Sequence, residues 1–280
     1  MPELPEVETV ARSVHALVAG DRITSVWTSG KPQTFKSPET LLAETLTGAR
    51  IAGVRRVGKS LVVDLDRVAG SVRERMADSP AEQAQFLVHL GMTGKLLVVD
   101  PALPWPPHTH AVMTLASGRE LRFVDPRRFG RLSIANEPYL GPGTEPTTIS
   151  ADDFAHLFRG RRTPIKAALL NQSLLHGVGN IYADESLFRA GIRPRRQAGR
   201  LTRSELDHLH RALKAVLARA IRKGGSSVSD YVDANGERGF FQLEHKVYGR
   251  GGEPCRECGE TLRRLTVGGR TTVYCPHCQH

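Results

Sequence analysis

The sequence predicts a multidomain α+β fold: an N-terminal antiparallel β-sandwich that carries one long helix, followed by a helical C-terminal half. Four observations support this prediction. Apolar residues recur at helical spacing near the start of the chain, and short β-like runs then follow to about residue 135. From Ser150 the apolar spacing is helical again, and four paired cysteines lie near the C-terminus. With 280 residues, the chain is long enough for two domains with their own cores.

The first element is an amphipathic helix that begins near Pro5. Proline suits the first turn because it has no N–H group to leave unsatisfied. Glu6 and Glu8 place negative charge near the positive end of the helix dipole, and Gly20 supplies a stop. The apolar positions follow one helical face: Val7, Val10, Ala11, Val14, Leu17 and Val18.

Seven short apolar or alternating runs predict the sandwich, and Ser117–Gly118 reads as a hairpin turn between two of them. The runs are Ile23–Trp27, Leu61–Leu65, Phe86–Leu90, Leu96–Val99, Ala111–Leu115, Glu120–Val124 and Arg131–Ile134. The polar segment near residues 68–85 has no apolar period, which indicates a surface insertion. Residues 137–149 are rich in proline and glycine and form a linker after an N-terminal domain of residues 1–136.

The C-terminal half contains a long helix whose two ends are marked in the sequence. Thr202 and Glu205 form a capping box before an apolar stripe, and Gly224–Gly225 ends the helix. We therefore assign residues 150–245 to a helical domain and residues 246–280 to a cysteine finger.

The net charge of +10 favours a polyanionic partner, and the charge is uneven. Residues 1–150 hold 17 basic and 16 acidic side chains, whereas residues 151–280 hold 22 and 13. A solvated basic surface that only aids solubility is the alternative.

No apolar run approaches the roughly 18 residues that span a bilayer, and the first residues lack a signal-peptide pattern. Because every cysteine lies in the two pairs, we expect a reducing, cytoplasmic compartment.

The cysteines have the spacing of a metal site. Cys255-x2-Cys258 and Cys275-x2-Cys278 are separated by 16 residues, which predicts one zinc ion, Zn(2+), held by four thiolates. Four protein ligands leave no open position, so this zinc would be structural; a redox dithiol is the alternative. Three arginines between the pairs suit contact with phosphates: Arg263, Arg264 and Arg270.

Pro2 would carry a nucleophilic amine if Met1 is removed. An α-amino group has a pKa of about 8 against about 10.4 for lysine, and nearby positive charge or burial would lower the pKa of the more basic prolyl amine. A secondary amine that attacks an aldehyde-level carbon gives a charged iminium, which is an electron sink. Glu3 is placed to move protons. The alternative is that Pro2 and Pro5 only start a helix.

Two further segments suggest contact with nucleic acid. Gly177 and Gly179 form a tight turn before a helix that Asn180 would cap, and such a helix N-terminus can bind phosphate. A plain helix–helix corner is the alternative. In Asp125–Gly130, arginines beside Phe129 suit a wedge that enters a base step, unless the ring packs inward. Met92, between glycines, reads as a core residue or as another apolar probe, and its sequence context favours the core.

Taken together, these segments resemble the bacterial formamidopyrimidine-DNA glycosylase and endonuclease VIII family over nearly the whole chain. The shared segments follow family order: PELPEVE, Gly58-Lys59, HLGMTG, DPRRFG, GVGNIYADESLF, Tyr248-Gly249-Arg250 and the four-cysteine finger. The opening resembles the formamidopyrimidine branch, since the endonuclease VIII branch typically opens PEGPE. The resemblance implies a helix-two-turn-helix domain, a zinc-finger hairpin and a monomer that acts on double-stranded DNA containing an oxidised base or abasic site.

The resemblance also implies residue roles. Pro2 would attack the sugar C1′, Glu3 would act as acid and base, Lys59 would assist β-elimination, and Arg270 would assist δ-elimination and bind a phosphate. Met92, Arg127 and Phe129 would fill the space left by a flipped nucleotide. The residues that match strand-contacting positions are His108, Arg161, Lys166 and Asn180, with His110 as the alternative to His108. Glu6 would lie near the active centre, and the loop around Ser226–Tyr231 would close over the damaged base.

The implied activity is removal of oxidised purines with strand cleavage. Oxidised pyrimidines are the second candidate substrate. A non-catalytic zinc-finger DNA-binding protein is an alternative that would not need a free Pro2. Tautomerases also use an N-terminal proline, but they are small and lack a zinc finger and a basic C-terminal domain.

Overall fold

A computed structural model describes residues 1–66, 83–228 and 231–280. The chain forms two compact units. The sandwich unit contains Met1–Pro2, Glu6–Leu140 and Ser226–Gly239, and the helical unit contains Glu3–Pro5, Gly141–Gly225 and Phe240–His280. The insertion expected near residues 68–85 lies outside the described residues as far as residue 82, and residues 83–85 belong to a strand.

The sandwich unit consists of two four-stranded antiparallel sheets. One has the order β1-β6-β7-β5 and the other β2-β3-β4-β8. The strands are β1 (Ile23–Thr28), β2 (Arg50–Val57), β3 (Ser60–Asp66), β4 (Gln83–His89), β5 (Lys95–Val99), β6 (Thr109–Leu115), β7 (Glu120–Val124) and β8 (Arg131–Ala135). Helix α1 (Leu4–Val18) buries its apolar stripe in the same core as Phe86 and Phe123. The predicted α+β sandwich with an N-terminal helix is confirmed.

The sequence analysis missed two elements of this unit. Helix α2 (Glu39–Leu46) is short and follows Pro38, which makes no side-chain cap. Strand β2 departs from strict alternation because its pairing with β3 shifts register between Ile51 and Gly53.

The helical unit contains α3 (Ala151–Phe158), α4 (Ile165–Leu170), α5 (Asn180–Arg189) and α6 (Arg203–Arg222), followed by the hairpin strands β9 (Arg263–Val267) and β10 (Arg270–Tyr274). The predicted capping box is present, since the Glu205 N–H donates to Thr202 Oγ1 and the Thr202 N–H donates to the Glu205 carboxylate. Phe154, Phe158 and Tyr182 are buried in the core with the leucines of α6. Among the described helices, none is long and apolar enough to cross a membrane.

Candidate active site and nucleic-acid interface

Glu3 is fixed at the amino end of α5. The backbone N–H of Ile181 donates to Glu3 Oε1 at 3.1 Å, and the N–H of Tyr182 donates to Oε2 at 3.5 Å. Glu3 is buried, and so is the adjacent Pro2. These two donors stabilise a carboxylate at the helix end. The residue next to Pro2 is therefore an acidic group in one fixed position.

The glycine turn before α5 leaves the space that the Glu3 side chain occupies. Gly177 has a φ of +91°, and its carbonyl accepts the Leu4 N–H at 3.0 Å. A Cβ on Gly179 would lie 2.3 Å from Glu3 Cδ. Real Cβ atoms do not approach so closely, so the contact requires glycine.

This geometry corrects the interpretation of the α5 terminus as a phosphate site capped by Asn180. Gly179 is the N-cap residue, and Asn180 is the first residue of the helix. The anion at the terminus is the carboxylate of Glu3. Asn180 is half-buried, and its Nδ2 donates to the carbonyl of Thr271 at 3.0 Å.

Lys166 is not at the surface. Its side chain is fully buried and lies 2.7 Å from Asp184 Oδ1, and its Nζ donates to Thr272 Oγ1 at 2.6 Å and to the Thr271 carbonyl at 3.1 Å. Burial raises the pKa of Asp184 to about 6, although the Lys166 charge opposes the rise. Because the ammonium group faces the finger strand and not solvent, Lys166 does not fit the role of a DNA contact that the resemblance implied.

Lys59 lies in the turn between β2 and β3, in basic surroundings. The turn includes Gly58 at a φ of +61°. Arg56 joins this turn to α1, because its Nη1 donates to the Gly58 carbonyl at 3.2 Å and its Nε to Glu8 at 2.9 Å. Burial lowers the pKa of the neighbouring His89, and the positive charges of Lys59 and Arg131 lower it further.

Two loops of the sandwich unit present exposed apolar side chains. Met92 is 41% exposed and Phe129 is 46% exposed, so the sequence context that favoured a core Met92 was misleading. The Arg127 guanidinium lies 4.7 Å from the centroid of the Phe129 ring. The loops touch at Gly91, where a Cβ would meet the Gly130 nitrogen at 2.5 Å.

The side chain of Asp125 connects these two loops by hydrogen bonds. Its carboxylate is buried, accepts the Gly130 N–H at 2.7 Å and accepts the Thr93 hydroxyl at 2.5 Å. A buried, fully used carboxylate of this kind holds exposed side chains in place without itself facing a ligand.

The two candidate histidines differ sharply. His110 is buried between the Ser29 hydroxyl, 3.0 Å from its Nδ1, and the Asp125 carbonyl, 3.1 Å from its Nε2. His108 is exposed and has a φ of 67°, which is uncommon for a residue with a side chain. His108 is thus the one at the surface.

Arg161 and Arg270 are exposed on the helical unit. Arg161 precedes α4, and its Nε donates to the Leu157 carbonyl at 2.5 Å. Arg270 is the first residue of β10 and follows a Gly268–Gly269 turn, in which both glycines have positive φ.

Glu6 anchors the segment that follows α6. Its Oε1 accepts the Ser226 N–H at 2.7 Å, and its carbonyl accepts the Tyr231 hydroxyl at 3.2 Å. Burial raises the pKa of Tyr231, and the Glu6 charge adds to the rise. Residues 229 and 230 of the loop expected to close over a base lie outside the described residues.

The four cysteines meet as their spacing predicts. All four Sγ atoms lie within 4.8 Å of one another; Cys258 and Cys275 are 3.5 Å apart, and Cys255 and Cys278 are 4.0 Å apart. Sulfurs bound tetrahedrally at about 2.3 Å from zinc would be about 3.8 Å apart. The donor set and its dimensions therefore fit a zinc ion.

Sequence reasoning missed the supporting residues Asp125, Asp184 and Thr272. For Asp184 a signal was present: Asp184, Glu185 and Ser186 are three consecutive polar residues of α5, and all three are buried. The Glu185 carboxylate accepts the N–H groups of Val247 and Tyr248, each at 2.9 Å. Consecutive polar residues in a buried helix indicate partners from other elements.

Three family models match the chain. They are the formamidopyrimidine-DNA glycosylase N-terminal domain over residues 1–132, the formamidopyrimidine-DNA glycosylase H2TH domain over residues 140–232, and the zinc finger found in FPG and IleRS over residues 252–280.

Relatives and solved structures match over the full length. A formamidopyrimidine-DNA glycosylase of Desulfitobacterium hafniense is 42% identical, with all of both chains covered. A point mutant of the Lactococcus lactis FPG, crystallised with Fapy-dG-containing DNA, matches with a TM-score of 0.88 at 33% identity over all of both chains. The wild-type Lactococcus lactis FPG in complex with oxidised-pyrimidine DNA matches with a TM-score of 0.86 at 33% identity, again over all of both chains.

Proposed function

The chain belongs to the formamidopyrimidine-DNA glycosylase family, whose members are DNA glycosylases with AP lyase activity, and we propose that it removes oxidised purines from duplex DNA and cleaves the strand by β,δ-elimination. The substrates would be 8-oxoguanine and formamidopyrimidines. The observation that carries this proposal is the Glu3 carboxylate fixed on the first turn of α5, in the residue that follows Pro2.

The first stage joins Pro2 to the sugar. After removal of Met1, the Pro2 nitrogen bonds to C1′ while the bond from C1′ to the base breaks. The base leaves with that bonding pair and takes up the proton that the amine gives up. The sugar ring then opens as its C1′–O4′ bond breaks and O4′ takes a proton, which leaves a Pro2 iminium at C1′. Glu3 is the residue placed to transfer these protons.

The second stage uses the iminium as an electron sink. Loss of a proton from C2′ breaks the C3′–O bond and releases one phosphate. Loss of a proton from C4′ then breaks the C5′–O bond and releases the other. Water hydrolyses the remaining iminium and frees the amine. Lys59 would assist the first elimination and Arg270 the second.

Access to the base requires that the nucleotide leave the duplex, at a cost of a few kcal/mol. Met92, Arg127 and Phe129 are exposed on the sandwich unit and suit the task of replacing the lost stacking and pairing. Three exposed side chains are the proposed phosphate contacts: His108, Arg161 and Arg270. The half-buried Asn180 is proposed to contact the DNA strand through its side chain, because the α5 terminus itself holds Glu3. These contacts would hold the bent DNA.

We assign one structural zinc ion to Cys255, Cys258, Cys275 and Cys278, where it would hold the finger folded. We further propose that the protein acts as a monomer in the bacterial cytoplasm. The partner DNA would contain an oxidised base or an abasic site.

Oxidised pyrimidines are the second candidate substrates, because the wild-type Lactococcus lactis relative was crystallised with oxidised-pyrimidine DNA. Single-lesion duplexes assayed side by side decide between the two classes. We expect fastest base release from 8-oxoguanine opposite cytosine, with strand ends that carry phosphate on both sides of the gap. Faster release of an oxidised pyrimidine would select the second candidate, and DNA binding without release of any base would leave only a zinc-finger DNA-binding protein.

A further inference from the structure

The finger strand that begins at Arg270 is fixed by side chains of α4 and α5. Lys166 donates to the carbonyl of Thr271 and to the hydroxyl of Thr272, and Asn180 also donates to the Thr271 carbonyl. Asp184 accepts the N–H of Val273 at 3.1 Å. Three consecutive residues of β10 are thus bound to helix side chains.

Thr272 connects this network to Arg270. Its hydroxyl accepts from Lys166 at 2.6 Å and donates to the Arg270 carbonyl at 3.1 Å, and its side chain is fully buried. Lys166 in turn lies 2.7 Å from Asp184, with both side chains buried. A continuous set of polar contacts therefore runs from Asp184 through Lys166 and Thr272 to the backbone of Arg270.

Arg270 needs such support because of its place in the hairpin. It follows a Gly268–Gly269 turn, and it starts a strand in a sheet of only two strands. An isolated two-stranded hairpin has little stability of its own. The position of the Arg270 backbone therefore depends on what the hairpin packs against.

We propose that Thr272, held by the buried Lys166–Asp184 pair, positions Arg270 for the second elimination. This inference rests on the proposed function, in which Arg270 assists loss of the proton from C4′ and of the phosphate on C5′. Thr272 itself does not touch the DNA; it acts through the Arg270 carbonyl. The network would therefore set the fraction of once-cut strands that undergo the second elimination.

Thr272 is the right residue to change, since replacing Lys166 or Asp184 would leave an unpaired buried charge and could unfold the unit. Thr272→Val keeps the shape and removes the hydroxyl. Thr272→Ser keeps the hydroxyl and is the matched control. Each variant is incubated in excess with abasic-site duplex, and the fraction of cut strands that end in phosphate is compared with the fraction that keep the sugar fragment.

We expect Thr272→Val to lower the ratio of twice-cut to once-cut product about tenfold, an effect in the range of a small misplacement of a catalytic group. Thr272→Ser should keep the wild-type ratio. The first cut should proceed in both variants, with unchanged zinc content. A wild-type ratio in Thr272→Val would overturn the inference, and so would an equal loss of both cuts together with loss of zinc, which would show general damage to the finger. Failure of the wild-type protein to cut at all would instead count against the proposed function.

Discussion

The Glu3 carboxylate packs so tightly against Gly179 that a single added methyl group would lie 2.3 Å from Glu3 Cδ. Gly179→Ala should therefore push Glu3 off the end of α5. We expect base release to slow about a hundredfold, the scale for displacement of a catalytic group by about 1 Å, with strain of about 1–3 kcal/mol. Single-turnover release of 8-oxoguanine measures the effect. Gly53→Ala is the control, because its new methyl would meet no atom closer than 3.6 Å. A wild-type rate in Gly179→Ala would contradict this role of Glu3.

Phe129 should matter for DNA and not for folding. Since the ring is 46% exposed, Phe129→Ala should change the free energy of unfolding by less than about 0.5 kcal/mol. Its loss should weaken binding to lesion duplex about tenfold, since it would no longer replace a stacked base. Kd values at one fixed salt concentration test this, with Leu140→Ala, which removes a side chain that is 79% exposed, as the control. Equal weakening by both variants would remove the wedge role.

The two histidines should separate binding from stability. His110→Gln breaks hydrogen bonds in the core and should lower the free energy of unfolding by about 1–3 kcal/mol. His108→Gln should leave stability unchanged and weaken DNA binding about fivefold, the effect of one hydrogen bond worth about 1 kcal/mol. Thermal melts and Kd measurements on both variants decide the matter. Stability loss in His108→Gln without a binding defect would reverse the assignment.

His89 should make stability depend on pH. Burial, then the charges of Lys59 and Arg131, lowers the pKa of His89 below its ordinary 6.5. The unfolded chain therefore binds a proton more readily than the folded one, so stability is fully present above pH 6.5 and falls as the pH drops below it. Protonation would also break the bond in which Nδ1 accepts the Gly91 N–H at 3.1 Å. When the pH is lowered from 7.5 to 5.5, the free energy of unfolding measured in urea should fall by about 1 kcal/mol less in His89→Gln than in the wild type. Parallel losses in the two proteins would exclude His89 as the cause.

Local patterns predicted much of the fold. The short apolar runs of β3 and β4, the helical stripe of α1 and the paired cysteines depend on residues close together in the sequence, and each has its predicted structure. Strand β2 was missed because a bulge at Gly53 interrupts its alternation.

Long-range contacts could not be predicted in the same way. The glycine turn at Gly179 indicated an anion at the start of α5, but nothing in that segment shows that the anion is Glu3, which lies 178 residues before Ile181 in the sequence. A lysine is rarely buried unless paired, and the spacing of Lys166 does not identify Asp184 as its partner.

The most direct test is covalent trapping at Pro2. Purified protein is mixed with a duplex that contains 8-oxoguanine opposite cytosine, sodium borohydride is added, and the adduct is digested and mapped by mass spectrometry. We predict a reduced protein–DNA adduct on the amine of Pro2 in a chain that lacks Met1, and at most a trace of adduct with Pro2→Gly. Retention of Met1, or an adduct that maps to a lysine and survives Pro2→Gly, would contradict the account.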